Sequence, residues 1–259
     1  MNPALDLIMN RKSVRAYEAK AIGEEIKNAI ITATLRAPTA GGMMLYSIID
    51  ITDPTIKETL AKTCDNQPFI AKAPLVLLFL ADYQCWYDFF IASGVREFCG
   101  RKKEPMRCPE EGDLFLACCD AIIAAQTAVI AAESFGIGSC YIGDIMENYE
   151  THKALFILPQ YVFPICMLCF GYSTKAERER KLVPRFDKKF ISFNNKYKRF
   201  DRENFEEIFK DMQDKVFQNR TDIAGTSNIG QLTYQNKFNA NFSKEMSRSV
   251  RAILKAWVC

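Results

Sequence analysis

Arg11-Lys12-Ser13-Val14-Arg15 is the sharpest chemical cluster in the chain. Arg11, Ser13 and Arg15 are spaced by two, so an extended backbone turns all three toward one face. Two guanidinium forks around a hydroxyl match the charge and acceptor geometry of a phosphate. The same residues could equally form a solvated basic helix end, and the local pattern leaves both open. Ala37-Pro38-Thr39-Ala40-Gly41-Gly42 is a second candidate. Its proline and paired glycines permit either a tight loop whose N–H groups approach a ligand or a plain helix-to-strand connection. Gly136-Ile137-Gly138-Ser139-Cys140-Tyr141-Ile142-Gly143-Asp144 is the third. Small residues there flank a strand end, where a flat ring can lie against bare backbone or two elements can simply pack closely.

Composition excludes several other chemistries. The single histidine, His152, argues against a His-based metal cluster or a Ser-His-Asp triad. Thirty-four basic against 31 acidic side chains leave +3, too balanced for a nucleic-acid partner. No Gly-x-Gly-x-x-Gly opens a βα turn, and there is no Walker loop. Ten cysteines follow an N-terminus without the basic and apolar regions of a secretory signal, so the expected setting is a reducing cytoplasm. Cys166 and Cys169 have Cys-x-x-Cys spacing inside the apolar run 162–170. In a strand they would point to opposite faces, which argues against a redox or metal pair. Cys99, Cys108, Cys118 and Cys119 fit no metal-ligand spacing and read as core or insertion thiols.

These clusters must be positioned by one large domain, or one domain with an arm, since the chain has 259 residues. Asn2-Pro3 opens a helix through Met9, and apolar residues at helical period mark 22–36, which Pro38 ends. A short strand at 45–51 precedes Asp53-Pro54, which opens a helix through Cys64. A buried strand follows at 74–81, then an insertion at 82–112, aromatic first and basic later. The apolar stretch 114–135 is long enough to cross a bilayer. Asp120, Gln126 and Glu133 interrupt it, and one mid-helix Asp costs about 2.5–3.5 kcal/mol on insertion. A helix buried in a soluble protein or at a subunit interface is therefore expected, with no membrane partner. A strand at 139–142, a helix at 147–155 and a strand at 162–172 complete the pattern. Beyond them lie a charged linker at 175–181 and helices at 201–217 and 243–258, separated by an Asn-rich stretch at 236–241 without periodicity. Helices and strands mingle without steady βαβ alternation, so the fold class is α+β.

The clusters, in this order and at these separations, resemble the FMN-dependent nitroreductase family, most closely its NADPH–flavin oxidoreductase and oxygen-insensitive nitroreductase branch. Residues 7–15 resemble the family's N-terminal flavin-phosphate motif. Residues 131–138 with Tyr141-Ile142-Gly143 resemble the helix–turn–strand beside the isoalloxazine. Residues 168–172, Pro184-Arg185 and Asn195-Lys196-Tyr197 are similar to the branch's last strand and extended tail. The resemblance implies a central, mixed, mainly antiparallel sheet flanked by helices. It implies a core at 1–172, containing the 82–112 insertion, and a C-terminal extension at 173–259 that embraces the partner subunit within the same domain.

By that resemblance Arg11, Lys12, Ser13 and Arg15 hold the FMN phosphate and ribityl chain, and Arg185 is a second arginine on the phosphate. Thr39, Ala40 and Gly41 reach the flavin from the other subunit of a homodimer. Gln67, Tyr141, Ile142 and Gly143 contact the ring, while Arg15 and Arg220 receive the phosphates of NADPH or NADH. FMN then carries ping-pong hydride transfer to a small acceptor (a nitroaromatic, quinone or flavin), with no side-chain nucleophile and no metal. A flavin reductase that releases reduced flavin, and a non-catalytic flavin sensor or storage protein, are the alternatives. The chain departs from the branch in keeping one hydroxyl, Thr39, in a loop otherwise rich in serine. Val183 stands in place of a lysine. Asp144 follows Gly143 where glycine is usual, and an acid there would disfavour an anionic reduced ring.

Overall fold

The short apolar runs form a four-stranded sheet. The computed structural model describes residues 2–218 and 220–258. Strands β1 (Tyr46–Asp50), β2 (Leu75–Asp82), β3 (Gly138–Ile142) and β4 (Val162–Gly171) are ordered β1-β2-β4-β3, every neighbouring pair antiparallel. The parallel contribution expected of a mixed sheet is a single bridge, Ser13 to Ser139. Alternation sorts the central strands into two cores. Leu75, Leu77 and Phe79 join Leu168 and Phe170 on one face, while Val76, Leu78 and Leu80 join Met167 on the other. Cys166 falls in the first set and Cys169 in the second, so the Cys-x-x-Cys pair is split across the sheet. Burial pushes the Cys166 thiol up to about 12, leaving it an inert core group.

Helices cover both faces. In chain order they are α1 (Pro3–Asn10), α2 (Glu24–Thr34), α3 (Pro54–Thr63), α4 (Phe69–Lys72), α5 (Gln84–Ala92), α6 (Val95–Arg101), α7 (Glu111–Ser134), α8 (Tyr149–Leu155), α9 (Lys175–Glu179), α10 (Arg202–Phe217), α11 (Ile229–Thr233) and α12 (Asn241–Trp257). The Asn-Pro and Asp-Pro starts work as read: Asn2 Oδ1 accepts from Ala4 N at 2.9 Å, and Asp53 Oδ1 from Thr55 N at 2.7 Å. A stripe of Ala121, Ala124, Ala125, Ala128 and Ala132 lets α7 settle closely on the first face beside Ile30 of α2. Leu60 of α3 and Ile70 of α4 fill the second. A third cluster joins Leu114 and Ala117 of α7 to Tyr161, Phe163 and the Ile253 and Trp257 side chains of α12, where Trp257 Nε1 donates to Glu110 O at 3.1 Å.

Contacts divide the chain into two units, one made of residues through Lys181 together with those from Glu245 onward, the other Leu182–Lys244. Within the second unit the aromatic pairs Phe186–Phe209, Phe190–Phe200 and Phe200–Phe205 meet edge to face, and Gln213 of α10 accepts from Ile229 N of α11 at 2.7 Å. Residues 234–238, which run into the 236–241 stretch that shows no periodicity in sequence, make a π-helical turn. The charged 175–181 linker contains α9, which Thr174 caps, and the 82–112 insertion contains α5 and α6. Cys108 is disulfide-bonded, which corrects the expectation of an insertion thiol there. His152 is a buried structural histidine, as one histidine on an apolar helix face usually is. Its Nδ1 meets Ile145 O at 2.9 Å and its Nε2 meets Thr63 Oγ1 at 2.8 Å, and burial lowers its pKa and keeps it neutral.

Candidate functional site

The basic cluster runs extended across the ends of β3 and β4. Val14 is 3% exposed, and its N–H donates to Ser139 O at 2.9 Å. With Val14 turned inward, Ser13 and Arg15 turn the other way. Further along, Glu18 N donates to Tyr172 O at 2.8 Å, and Tyr17 Oη donates to Val14 O at 3.0 Å. Two glycines facing each other in register, Gly138 and Gly171, make this approach possible. A Cβ on Gly138 would lie 2.5 Å from Val14 Cγ2, and one on Gly171 would lie 2.5 Å from Tyr17 Cδ1. Side chains at either position would push the segment off the sheet.

Residues 177–180 clamp the segment from its other side. Lys12 Nζ donates to Arg178 O at 2.7 Å and Arg180 O at 2.6 Å, so two of its three donors are spent on backbone. Arg180 Nη2 donates to Ser13 O, and Arg15 N donates to Glu177 Oε1 at 3.5 Å. Arg11 Nε is buried and lacks a partner among the described residues. The Arg15 guanidinium stands 6.0 Å from the Phe69 ring centre, and Arg15, Tyr17, Phe69 and Lys72 line a cavity of about 290 Å³. Space before Gly143 is open, since a Cβ built there meets nothing within 4 Å. Ile142 is buried, and Tyr141 Oη donates to Gln126 Oε1 at 3.4 Å. Burial raises the Tyr141 hydroxyl far above its usual range, so it stays protonated.

The Gln67 amide is held on two sides: Nε2 donates to Cys64 O at 3.0 Å and to Asp144 Oδ2 at 2.7 Å. Glu147 lies close by with 5% exposure, and its Oε1 is without a partner among the described residues. Burial and the adjacent Asp144 charge push its carboxyl up to about 8.

The 39–45 loop is organised by Asp120 of α7. This 2%-exposed carboxylate accepts from Thr39 Oγ1, from Ala40 N at 3.1 Å and from Leu45 N at 3.1 Å. Thr39 Oγ1 in turn accepts from Met44 N at 2.7 Å. The loop's one hydroxyl is therefore committed to the loop itself. Gly41 and Gly42, at φ of 56° and 72°, supply the left-handed turn. Arg185 and Arg220 lie in the Leu182–Lys244 unit, both exposed. Arg185 Nη1 donates to Val183 O at 3.1 Å, and Arg220 N donates to Phe217 O at 2.6 Å.

Sequence reasoning missed Asp120, Glu147, Glu177 and Lys72. The Asp120 signal is an acid in the middle of an apolar helix, which in sequence alone reads as an interruption. The others had no local signal, because their partners come from distant segments. Among the described residues, no group of three or more His, Cys, Asp or Glu side chains is placed to hold a metal ion. The donor set suits a different ligand. A buried unpartnered guanidinium nitrogen, a second arginine over an aromatic ring and open space at a glycine fit a phosphate joined to a flat ring.

A model of the nitroreductase family matches residues 8–172. The chain is 28% identical over 198 residues to FMN reductase (NADPH) of Bacillus subtilis strain 168, covering 76% of this chain and 75% of that protein. It is 27% identical over 206 residues to the oxygen-insensitive NADPH nitroreductase of Salmonella typhimurium, covering 78% and 77%. The crystal structure of nitroreductase A from Vibrio parahaemolyticus matches with a TM-score of 0.79 at 22% identity, over 100% of this chain and 98% of that one, which is a likeness of fold.

Proposed function

From the premise that the chain belongs to the nitroreductase family, we propose that it is an FMN-dependent NAD(P)H oxidoreductase that reduces small electron acceptors such as nitroaromatics, quinones or free flavin. The observation that carries this is the unpartnered, buried Arg11 Nε, on an extended segment bridged through Ser13 to Ser139 of β3, the strand that the open space at Gly143 follows. The names of the relatives, an FMN reductase and an NADPH nitroreductase, support the same chemistry. Bound FMN would supply the two-electron redox chemistry between NAD(P)H and the acceptor.

The chain's own residues bind and orient. Arg11 and Arg15 take the phosphate, with Arg185 as a further arginine. Ser13 lies between them, and Lys12 fixes the strand through the carbonyls of Arg178 and Arg180. Gln67, Tyr141, Ile142 and Gly143 border the ring, and Arg15 with Arg220 receives the nicotinamide nucleotide. Thr39, Ala40 and Gly41 of a second copy complete the site with backbone groups, the Thr39 hydroxyl being held by Asp120 and Met44 N. A homodimer is supported by α7, which is long and apolar enough to cross a membrane, with a mean hydropathy of 2.0 and 44% of its apolar window buried within this chain. Its Phe115, Leu116, Ile122 and Ile123, and Leu5, Ile8 and Met9 of α1, remain exposed, an apolar surface that a second copy would cover. We place the enzyme in the cytoplasm because Cys64, Cys85, Cys99, Cys118, Cys119, Cys140, Cys166 and Cys169 are free thiols, against the single disulfide-bonded Cys108 among the described residues.

The first test is the visible spectrum of the purified protein, before and after NADPH is added without air. A flavin band that bleaches, and returns with a quinone or nitroaromatic, is expected. A colourless protein that takes up no added FMN overturns the proposal. A flavin that neither NADPH nor NADH bleaches marks a binding protein without this activity. Light scattering should give twice the 29.5 kDa chain mass, and a flavin-loaded monomer would remove the dimer.

A further inference from the structure

Of the ten cysteines in the chain, eight are free thiols and Cys108 is disulfide-bonded. The tenth, Cys259, is the last residue and lies outside the described ones. Described contacts bring the two chain segments together. Cys108 stands two residues before Glu110, and Cys259 stands two residues after Trp257. Trp257 is 1% exposed, and its Nε1 donates to Glu110 O at 3.1 Å. Two residues of chain span about 7 Å on either side of that hydrogen bond, enough to reach the Cα separation of about 4.4–6.8 Å that a disulfide takes.

A covalent bond at Cys108 bears on two parts of the fold. Cys108 Sγ lies 3.8 Å from Tyr87 Oη of α5. The Tyr87 ring meets Tyr161 edge-on at 5.0 Å, and Tyr161 meets Trp257 of α12 at 5.6 Å. The residue before Tyr87 reaches the other way: Trp86 Nε1 donates to Met43 O at 2.7 Å, so α5 also holds the 39–45 loop. Cys64, Cys140, Cys166 and Cys169 are buried, whereas Cys108 is only half-buried. A disulfide within reach of solvent, in a chain placed in a reducing cytoplasm, is open to exchange.

We propose that Cys108 and Cys259 form a redox-sensitive latch, which clasps the end of α12 to the 82–112 insertion when oxidised and releases both when reduced. Reduction is a thiol–disulfide exchange with a dithiol. One dithiol sulfur attacks as thiolate, forms a mixed disulfide with one cysteine and displaces the other, which takes up a proton. The second dithiol sulfur then breaks the mixed disulfide and frees the first cysteine. The chain gains two electrons and two protons as two thiols, and the dithiol leaves as its own disulfide. Hydrogen peroxide reverses the change, taking both electrons and both protons and leaving as two waters. The latch holds whether or not the chain binds flavin.

The test uses the full-length protein, treated with hydrogen peroxide or with dithiothreitol, alkylated with iodoacetamide and digested without reductant. Mass spectrometry should find a linked pair of peptides carrying Cys108 and Cys259 after peroxide, and both cysteines alkylated after dithiothreitol. Cys108 alkylated after peroxide, or linked to any other cysteine, overturns the pairing. Because the bond closes a loop of about 150 residues, the oxidised protein should melt about 10 °C above the reduced one. Cys259→Ser should melt at the reduced value and ignore dithiothreitol. Hydrogen exchange should place the loss of protection on reduction in α5 and the last turns of α12, with β2 unchanged. A Cys259→Ser variant that melts like the oxidised parent, or that dithiothreitol still destabilises, overturns the latch. Equal protection of α12 in the oxidised and reduced parent does so as well.

Discussion

Replacing Arg11 and Arg15 together by alanine is expected to weaken FMN binding by at least about a hundredfold. A charge-assisted hydrogen bond contributes about 1.5–3 kcal/mol, so two arginines account for about 3–6 kcal/mol, and each 1.4 kcal/mol is tenfold in affinity. The fold should barely register the change. Arg11 Nε has no partner in the described chain, and Arg15 Cζ stands 6.0 Å above Phe69 at a cavity wall. Truncating them removes ligand donors without breaking a core contact. Flavin fluorescence titration measures the affinity, and the melting temperature of the flavin-free protein serves as the control. Lys12→Ala should behave differently. It frees the carbonyls of Arg178 and Arg180, so it should lower the flavin-free melting temperature as well as the affinity. An affinity unchanged in the double variant would reduce the cluster to a surface feature.

Asp120→Ala carries the largest expected loss of stability. It strands three donors that now share one carboxylate: the half-buried Thr39 Oγ1 and Ala40 N, and the buried Leu45 N. Each orphaned donor costs about 1–3 kcal/mol, and a site this enclosed admits little water to soften that. A total of about 3–5 kcal/mol, at about 2–4 °C per kcal/mol for a protein near this size, places the drop in melting temperature at about 10 °C. Hydrogen exchange should locate the damage, with the amides of Ala40 and Leu45 losing protection before those of β2. Asp120→Asn should fall between, since it keeps one acceptor oxygen but turns an amine toward donors. A variant melting within about 2 °C of the parent would mean that the 39–45 loop holds its shape without this anchor.

Most of the framework was legible because it obeys local rules. The Pro3 and Pro54 helix starts fall where Asn-Pro and Asp-Pro place them, and the sheet strands match the apolar runs that mark them to within a residue at their ends. Between Ser13 and Arg15, Val14 is buried, as an extended segment lying on the sheet requires. Where legibility failed, the determinant was long-range or too short to have a period. A five-residue helix such as α9 cannot show periodicity, and its charges look like a linker until Lys12 and Arg15 are found against it. Asp120 meets its loop 75 to 81 residues away in sequence. Thr39 illustrates the ambiguity: a loop hydroxyl can reach outward to a ligand or close its own turn, and only tertiary contact shows that it does the second.

The discontinuous first unit bears on how the protein is made. Its residues through Lys181 leave the ribosome first, yet its third core cluster needs Ile253 and Trp257, which emerge only after the whole Leu182–Lys244 stretch has been synthesised. Until then Leu114, Tyr161 and Phe163 have no lid, and the nascent chain carries an open greasy seam. Such a seam is where chaperones bind and where off-pathway association starts. Slowing translation within the intervening stretch would lengthen that exposure, and supplying the α12 segment early, by circular permutation, would shorten it.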